Sequence, residues 1–283
     1  MADKLFIGPK VKRLRQERGW TLDAASGLLG LSISYLSQIE ANQRPVSARV
    51  LLAMIKAFDQ KHDAFLIHAW GMTELSPLGT VNNLNSKLAA LPKEERYQRQ
   101  LKQGRPVYGV EIKIVDDEGN DLPRDGKTFG RLLVRGPWVA SAYFKNEGAS
   151  AFTDDGWFDT GDIATLDPEG YLRLTDRAKD VIKSGGEWIS TLDLEDAVCS
   201  HPAVAMAAAV GMPHPKWDER PLLLVVLRPG QSADPEVLKA HVSERVAKWW
   251  TPDEVRIVES LPIGPTGKVL KRELRDQLIG TAG

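Results

Sequence analysis

Residues 156–189 read GWFDTGDIATLDPEGYLRLTDRAKDVIKSGGEWI, and the rest of the chain is parsed outward from them. Asp154-Asp155-Gly156 and Asp167-Pro168-Glu169-Gly170 are turn signals of the hairpin type, and the apolar runs between turns are short and β-like. Upstream, residues 110–115 and 130–134 read as strands around the turn Asp117-Glu118-Gly119-Asn120. Downstream the pattern becomes mixed. A helix is expected over 192–200, strands over 204–210 and 222–227, and a helix over 235–249. Pro252 and Pro262 bracket a strand at 255–258, and an amphipathic helix is expected over 268–278.

The first 60 residues follow another grammar. Ile7, Val11 and Leu14 share one helix face, Gly19 ends that helix, and Thr21 can cap the next. Gly30 closes the second helix and Ser32 caps a third over 33–41. After a turn at 42–45, Ser47 caps a fourth, with Val50, Leu51, Met54, Ile55 and Phe58 on its apolar side. A compact all-α unit is expected there.

Composition fits an ordinary soluble protein. The chain has 283 residues, 37 Lys+Arg, 38 Asp+Glu and one cysteine. The length suggests two domains. A lone Cys199 excludes an intrachain disulfide and a Cys-based zinc cluster. No apolar run is long enough to span a bilayer and no signal-peptide core is seen, so no membrane partner and a cytoplasmic location are expected. The net charge of −1 conceals a split, because residues 1–60 carry nine Lys/Arg and five Asp/Glu.

Two helices joined across Gly30, the second beginning Ser32-Ile33-Ser34-Tyr35-Leu36-Ser37-Gln38, form a helix-turn-helix pattern. Ser32, Ser34, Tyr35 and Gln38 are the side chains that could meet base edges, with Arg44, Lys12 and Arg13 as phosphate contacts. Double-stranded DNA is the expected partner, bound by a homodimer. The segment 4–66 resembles Cro-like helix-turn-helix regulators, particularly bacterial regulators of short-chain fatty-acid metabolism, although Leu22 stands where that family usually has a glutamine.

In the larger part, Gly71-Met72-Thr73-Glu74 follows an apolar run, offering a hydroxyl for a phosphate and a carboxylate for magnesium. Asp162 follows a tight turn where a carboxylate can accept two ribose hydroxyls. Then come Asp176-Arg177-Ala178-Lys179-Asp180, Ser184-Gly185-Gly186-Glu187-Trp188 and Gly264-Pro265-Thr266-Gly267-Lys268. Taken singly each motif reads as a turn or a solvated charge.

In this order they resemble the adenylate-forming acyl-CoA synthetase superfamily. The wording around Gly186 and His214-Pro215-Lys216-Trp217-Asp218-Glu219-Arg220 looks like its medium- to long-chain fatty-acid and methylmercaptopropionate branch. The resemblance implies ATP/AMP, Mg and CoA as cofactors and acyl-adenylate or acyl-CoA as ligands. It implies Thr73 beside the adenylate phosphate, Glu74 on Mg, Asp162 and Arg177 on the ribose, and Lys179 as hinge. Gly186 would line the pantetheine tunnel, and Lys268 would stabilise charge as the carboxylate attacks the α-phosphate.

The family's phosphate loop and acyl pocket precede the Gly-Met-Thr-Glu motif, and nothing in residues 1–70 matches that loop. The expected fold class is therefore an all-α helix-turn-helix domain (1–66), a β-rich remnant of an adenylate-forming domain (67–176) and an α+β C-terminal lid domain (177–283). The expected function is a DNA-binding, transcription-regulator-like protein carrying a truncated fatty acyl-CoA synthetase module. The alternative is an AMP-forming fatty acid:CoA ligase that needs the missing half in trans. A third reading is a chimeric gene without joint function.

Overall fold

The computed structural model describes residues 8–29, 31, 33–41, 48–62, 65–264 and 269–280. The chain divides into two units, Met1–Leu174 and Thr175–Gly283. The first opens with α1 (Gly8–Glu17), α2 (Leu22–Leu29), α3 (Ile33–Glu40) and α4 (Ala48–His62). Thr21 caps α2 by accepting the Ala24 N–H at 3.1 Å. Val11, Ala25, Leu36, Ile39, Val50 and Met54 are buried against one another. Arg15 crosses from α1 to α3, donating from Nε and Nη2 to both carboxylate oxygens of Glu40 at 2.6 and 2.8 Å. That paired geometry fixes the two helices in register.

These helices do not make the separate all-α helix-turn-helix domain that the sequence suggests. The architecture is mixed α/β, and α4 packs against a helix from the strand-bearing part of the chain. That part includes α5 (Ser86–Ala89) and α6 (Lys93–Gln100), two helices the sequence pattern leaves unassigned. Leu51 and Ile55 of α4 are buried with Tyr97 of α6. The Tyr97 hydroxyl donates to Asp59 at 2.5 Å, Lys93 pairs with Asp59 at 3.2 Å, and Lys56 pairs with Glu94. Exposed ion pairs contribute little each, so the buried apolar contact carries the junction. The signals for these short helices are local. The Asn85 side chain accepts the Leu88 N–H at 2.9 Å, and Glu94 and Glu95 occupy the first turn of α6.

A three-stranded sheet, in order, comprises β1 (Ala69–Trp70), β2 (Thr80–Val81) and β3 (Arg105–Pro106). A four-stranded sheet runs in sequence order: β4 (Glu111–Val115), β5 (Gly130–Arg135), β6 (Phe158–Leu166) and β7 (Leu172–Arg177). Ile112, Ile114, Leu132, Val134, Phe158, Ala164 and Leu166 fill one buried cluster with Trp70 and Leu75. Leu133, between Leu132 and Val134, packs with Val115 and Trp157 in another cluster. The period-two alternation of strand side chains accounts for that division.

The second unit contains β8 (Ile182–Ser184), β9 (Glu187–Ile189), α7 (Thr191–Cys199), β10 (Val204–His214) and β11 (Asp218–Leu227). It continues with α8 (Pro235–Ser243), β12 (Glu254–Ile257) and α9 (Lys271–Gly280). Strands β10 and β11 form a long antiparallel hairpin, and β12 joins β11 in parallel. Ala207, Ala209, Leu223 and Val225 face α7 and α8, meeting Leu194, Val198, Leu238 and Val242. The intervening Ala208, Val210, Leu222 and Leu224 meet Leu274 and Leu278 of α9. Burial on both faces explains why these strands read as unbroken apolar runs. The helix expected over 235–249 ends at Ser243; a separate short 3-10 turn covers Lys248–Trp250. Among the described residues, no helix is long and apolar enough to cross a membrane.

Between α7 and α8, the His201 and His241 rings meet edge to face with centroids 5.1 Å apart, and His241 Nε2 lies 2.7 Å from the Ser200 hydroxyl. Partial burial, then Arg245 and His201, hold His241 below its ordinary 6.5, against a smaller upward pull from Glu244 and the Ala197 carbonyl. The unfolded chain therefore binds this proton more avidly than the folded one. The stability involved is present above pH 6.5 and is lost as pH falls through the window below it. Urea unfolding of the wild type should show a falling midpoint between pH 7 and 5.5, with a smaller fall in His241→Gln. Equal slopes in the two proteins would contradict this.

Candidate nucleotide and acyl-transfer site

In the first unit, Thr73-Glu74-Leu75 forms a single 3-10 turn shortly after β1. The turn folds back so closely that a Cβ on Gly71 would lie 1.8 Å from the Pro77 carbonyl oxygen. Only glycine admits that approach. Leu75 is buried, whereas Thr73 is exposed and Glu74 half-buried, so the anchor points inward and the two polar groups remain reachable. The Tyr143 hydroxyl donates to Glu74 Oε1 at 2.7 Å, and the Ala140 N–H donates to the Glu74 carbonyl at 2.7 Å. Burial and the bond to Glu74 together push the Tyr143 phenol up to about 12, so it stays a donor throughout the neutral range. A carboxylate oriented by a neutral donor, beside an exposed hydroxyl, fits a hard oxygen-seeking cation such as Mg.

Tyr143 also ties this turn to β6, its ring standing edge-on to Phe152 and Phe158 at 5.5 and 6.3 Å. Sequence reasoning misses Tyr143. Nothing in Ala142-Tyr143-Phe144 distinguishes a positioning phenol from a packing one.

Asp162 lies within β6, not after a free turn as its sequence context suggests. The strand carries an irregularity opposite Arg131–Leu133, with Gly161 at φ +68°. Asp159 accepts the Gly161 N–H at 2.9 Å, and the Thr160 hydroxyl donates to the Leu132 carbonyl at 2.9 Å while accepting the Asp162 N–H at 3.1 Å. A bulge of this kind re-aims the side chain next to it. Asp162 is 1% exposed.

In the second unit, Arg177 ends β7 and Lys179 stands exposed in the turn after it, closed by the Asp180 and Val181 N–H groups on the Arg177 carbonyl. Burial pulls the Arg177 guanidinium down to about 10, with Asp180 opposing. Gly185 and Gly186 form the two-residue loop of the β8–β9 hairpin, at φ +62° and +85°. Two consecutive positive φ values select glycine at both. A Cβ on Gly185 would press on the Trp217 ring at 2.8 Å, whereas one on Gly186 meets nothing within 4 Å. Lys268 lies outside the described residues.

Of the residues read as DNA contacts, Gln38 is half-buried in α3. Ser32 and Arg44 lie outside the described residues, and Ser34 is described only as part of α3. Tyr35 is half-buried against the helical core. Lys12 and Arg13 are exposed, and Arg13 pairs with Glu17 at 3.4 Å.

Comparison with known proteins bears on the same point. The family model described as AMP-binding enzyme matches residues 28–144, and AMP-binding enzyme C-terminal domain matches 193–268. The chain carries AMP-binding enzyme domains, those of the adenylate-forming superfamily. The first match begins inside α2, so the AMP-binding similarity runs through helices whose sequence pattern suggests a regulator.

The 3-methylmercaptopropionyl-CoA ligase of Ruegeria pomeroyi is 50% identical over 253 residues, covering 89% of this chain and 47% of that protein. The medium-chain-fatty-acid–CoA ligase of Ectopseudomonas oleovorans is 47% identical over 225 residues, 80% of this chain and 41% of that one. Among solved structures, o-succinylbenzoate CoA synthetase from Bacillus subtilis with its acyl-adenylate intermediate matches with a TM-score of 0.66. It is 32% identical and covers 80% of this chain and 44% of that one. ATP-bound MatB from Rhodopseudomonas palustris matches with a TM-score of 0.66, at 27% identity over 83% and 44% of the respective chains. The chain thus spans about half the length of the relatives it matches.

Gly71 and Gly186 separate crowding from backbone strain. Gly71→Ala should cost about 3 kcal/mol or more by denaturant unfolding, since backbone must move. Gly186→Ala should cost only about 1–2 kcal/mol, from the left-handed φ alone. Equal costs would contradict the packing described at Gly71.

Proposed function

We propose that the chain supplies the C-terminal share of an AMP-forming acid:CoA ligase acting on a medium- to long-chain fatty acid or a methylthio-substituted short acid, in the cytoplasm. What carries this reading is the ordered set Thr73-Glu74, Asp162, Arg177, Lys179, Gly186 and Lys268, within a chain about half identical to CoA ligases over 89% of its length.

In this reading a substrate carboxylate oxygen attacks the α-phosphorus of ATP, expelling pyrophosphate and leaving an acyl-adenylate. The CoA thiol, losing its proton, then attacks the acyl carbonyl and AMP departs. The exposed Thr73 hydroxyl contacts the α-phosphate. Glu74, oriented by Tyr143, would hold Mg, whose charge offsets that of the phosphates. Asp162 accepts the ribose hydroxyls and Arg177 supports them. Lys268 contributes positive charge where negative charge grows at the α-phosphate. Lys179 is the hinge residue, and the backbone at Gly186 borders the pantetheine path, where a missing Cβ leaves room. The resemblance implies that the phosphate loop and most of the acyl pocket would come from the part of the relatives' length that this chain does not match.

The regulator reading gives way on two observations: α4 is built into the strand-bearing unit, and AMP-binding similarity starts at residue 28.

The test mixes the full chain with the unmatched N-terminal portion of the Ruegeria pomeroyi ligase, plus ATP, Mg, CoA and either 3-methylmercaptopropionate or octanoate. Acyl-CoA should form with the wild-type chain and fall about 100-fold or more in Lys268→Ala. No acyl-CoA from the wild-type mixture, or full activity in Lys268→Ala, would overturn the proposal.

A further inference from the structure

The β8–β9 hairpin loop, Gly185–Gly186, is held by a short stretch at the start of β11 that has no part in the proposed ligation chemistry. The register between β8 and β11 pairs Ser184 with Asp218. Asp218 takes φ +68°, a left-handed conformation that disfavours a residue with a side chain and persists only where neighbours enforce it. Its neighbours in sequence do so. The Trp217 carbonyl accepts the Gly185 N–H at 2.8 Å. The Glu219 carboxylate accepts the Lys183 N–H at 3.0 Å, and it lies so close to β10 that a Cβ on Gly211 would be 2.6 Å from it. Arg220 Nη1 donates to the Ser184 hydroxyl at 3.2 Å. Residues 217–220 thus engage residues 183–185 one after another.

Arg220 also reaches the other way, into the segment before β12. The same Nη1 donates to the Trp249 carbonyl at 3.0 Å, Nη2 to the Thr251 carbonyl at 2.9 Å, and Nε pairs with Asp253 Oδ1 at 2.8 Å. The Asp253 N–H donates in turn to the Pro221 carbonyl at 3.0 Å, which closes the segment onto β11. The Arg220 side chain is only 17% exposed. A planar guanidinium bonded through Nε and both terminal nitrogens has its orientation fixed, and the hydroxyl it holds is fixed with it. A single ammonium cannot reproduce that fork. The loop itself has little to grip, since a Cβ on Gly186 would meet nothing within 4 Å. Its position is therefore set by what holds Ser184 and Gly185.

We propose that Arg220 is a positioning residue that anchors Ser184 to the 249–253 segment and so fixes the Gly185–Gly186 loop, along which the pantetheine arm of CoA passes. The role of CoA rests on the ligase reading; the anchoring stands on the hydrogen bonds of Arg220. A loop released from this anchor samples several positions, and CoA must select the open one, which weakens its apparent affinity. Formation of the acyl-adenylate makes no use of this loop and is affected less.

Amide hydrogen exchange on the full chain, with no nucleotide or CoA present, tests the anchoring. Arg220→Ala should speed exchange at Lys183 and Gly185 about tenfold, with the amides of α7 and α8 unchanged. Ser184→Ala removes only the hydroxyl that Arg220 holds and should give part of the same acceleration. The double variant should exchange no faster than Arg220→Ala, because both changes break one link. Arg220→Lys, which keeps the charge and one donor, should lie between wild type and Arg220→Ala. Unchanged exchange at Lys183 and Gly185 in Ser184→Ala, or effects that add in the double variant, would overturn the anchoring whatever the outcome for ligation. In the complemented ligase mixture, Ser184→Ala should raise KM for CoA about fivefold, with smaller changes in kcat and in pyrophosphate release. An unmoved KM for CoA, or equal losses in pyrophosphate release and thioester formation, would overturn the positioning role. A wild-type mixture that makes no acyl-CoA counts against the ligase reading alone, because hydrogen exchange decides the anchoring separately.

Discussion

A lysine ammonium buried among two carboxylates and a threonine hydroxyl is the interaction on which the C-terminal unit depends. Lys271, Glu195, Asp176 and Thr191 bring together α9, α7 and the end of β7, elements separated by up to 95 positions in sequence. Removing one partner from such a group leaves an uncompensated buried charge, a loss of about 3–5 kcal/mol. The sheet of β10 and β11 is sandwiched between apolar clusters, but those contacts alone would tolerate sliding. The charge group does not, since Asp176 Oδ2 accepts both the N–H and the hydroxyl of Thr191 while Lys271 Nζ is held by Glu195 and Thr191 together. Glu195 extends the constraint into the sheet by accepting the Ala209 N–H at 3.0 Å.

The first unit has a different governing constraint, the close approach of Gly71 to the Pro77 carbonyl. It lets the chain reverse within a few residues of β1, burying Leu75 while presenting Thr73 and Glu74. Tyr143 then joins that turn to β6 through a hydrogen bond and two ring contacts. The same strand carries the bulge that orients Asp162. Glu74 and the strand that carries Asp162, more than 80 residues apart in sequence, are thus linked through one phenol.

Much of this architecture is legible in the sequence alone. Strands read as short β-type runs between turn signals, such as β4, β5 and β12, fall within a residue of the expected bounds, as does α7. The expectations that fail do so for physical reasons. The helix beginning at Pro235 stops at Ser243, and a separate 3-10 turn follows at Lys248–Trp250, a break that the apolar pattern over 235–249 does not mark. Residues 86–100 show no long apolar period, which hides two short helices. The expectation of an independent all-α domain rests on local helix grammar, which says nothing about whether a helix face is already taken. Leu51 and Ile55 read correctly as apolar, but their partner Tyr97 lies across the supposed boundary. The neighbours of Asp162 mark it out, while its burial in a bulged strand leaves no such sign. Lys271 looks like a solvated charge of an amphipathic helix.

On the proposed reading, this chain carries working nucleotide-side residues of an acyl-adenylate-forming ligase. The most direct measurement is a calorimetric titration of the full chain with a non-hydrolysable acyl-sulfamoyl adenosine in the presence of Mg. Saturable binding is expected, weakened about tenfold or more by Asp162→Asn, which replaces the proposed ribose-accepting carboxylate oxygen with an amide donor. Absence of binding by the wild-type chain, or binding untouched by Asp162→Asn, would contradict it.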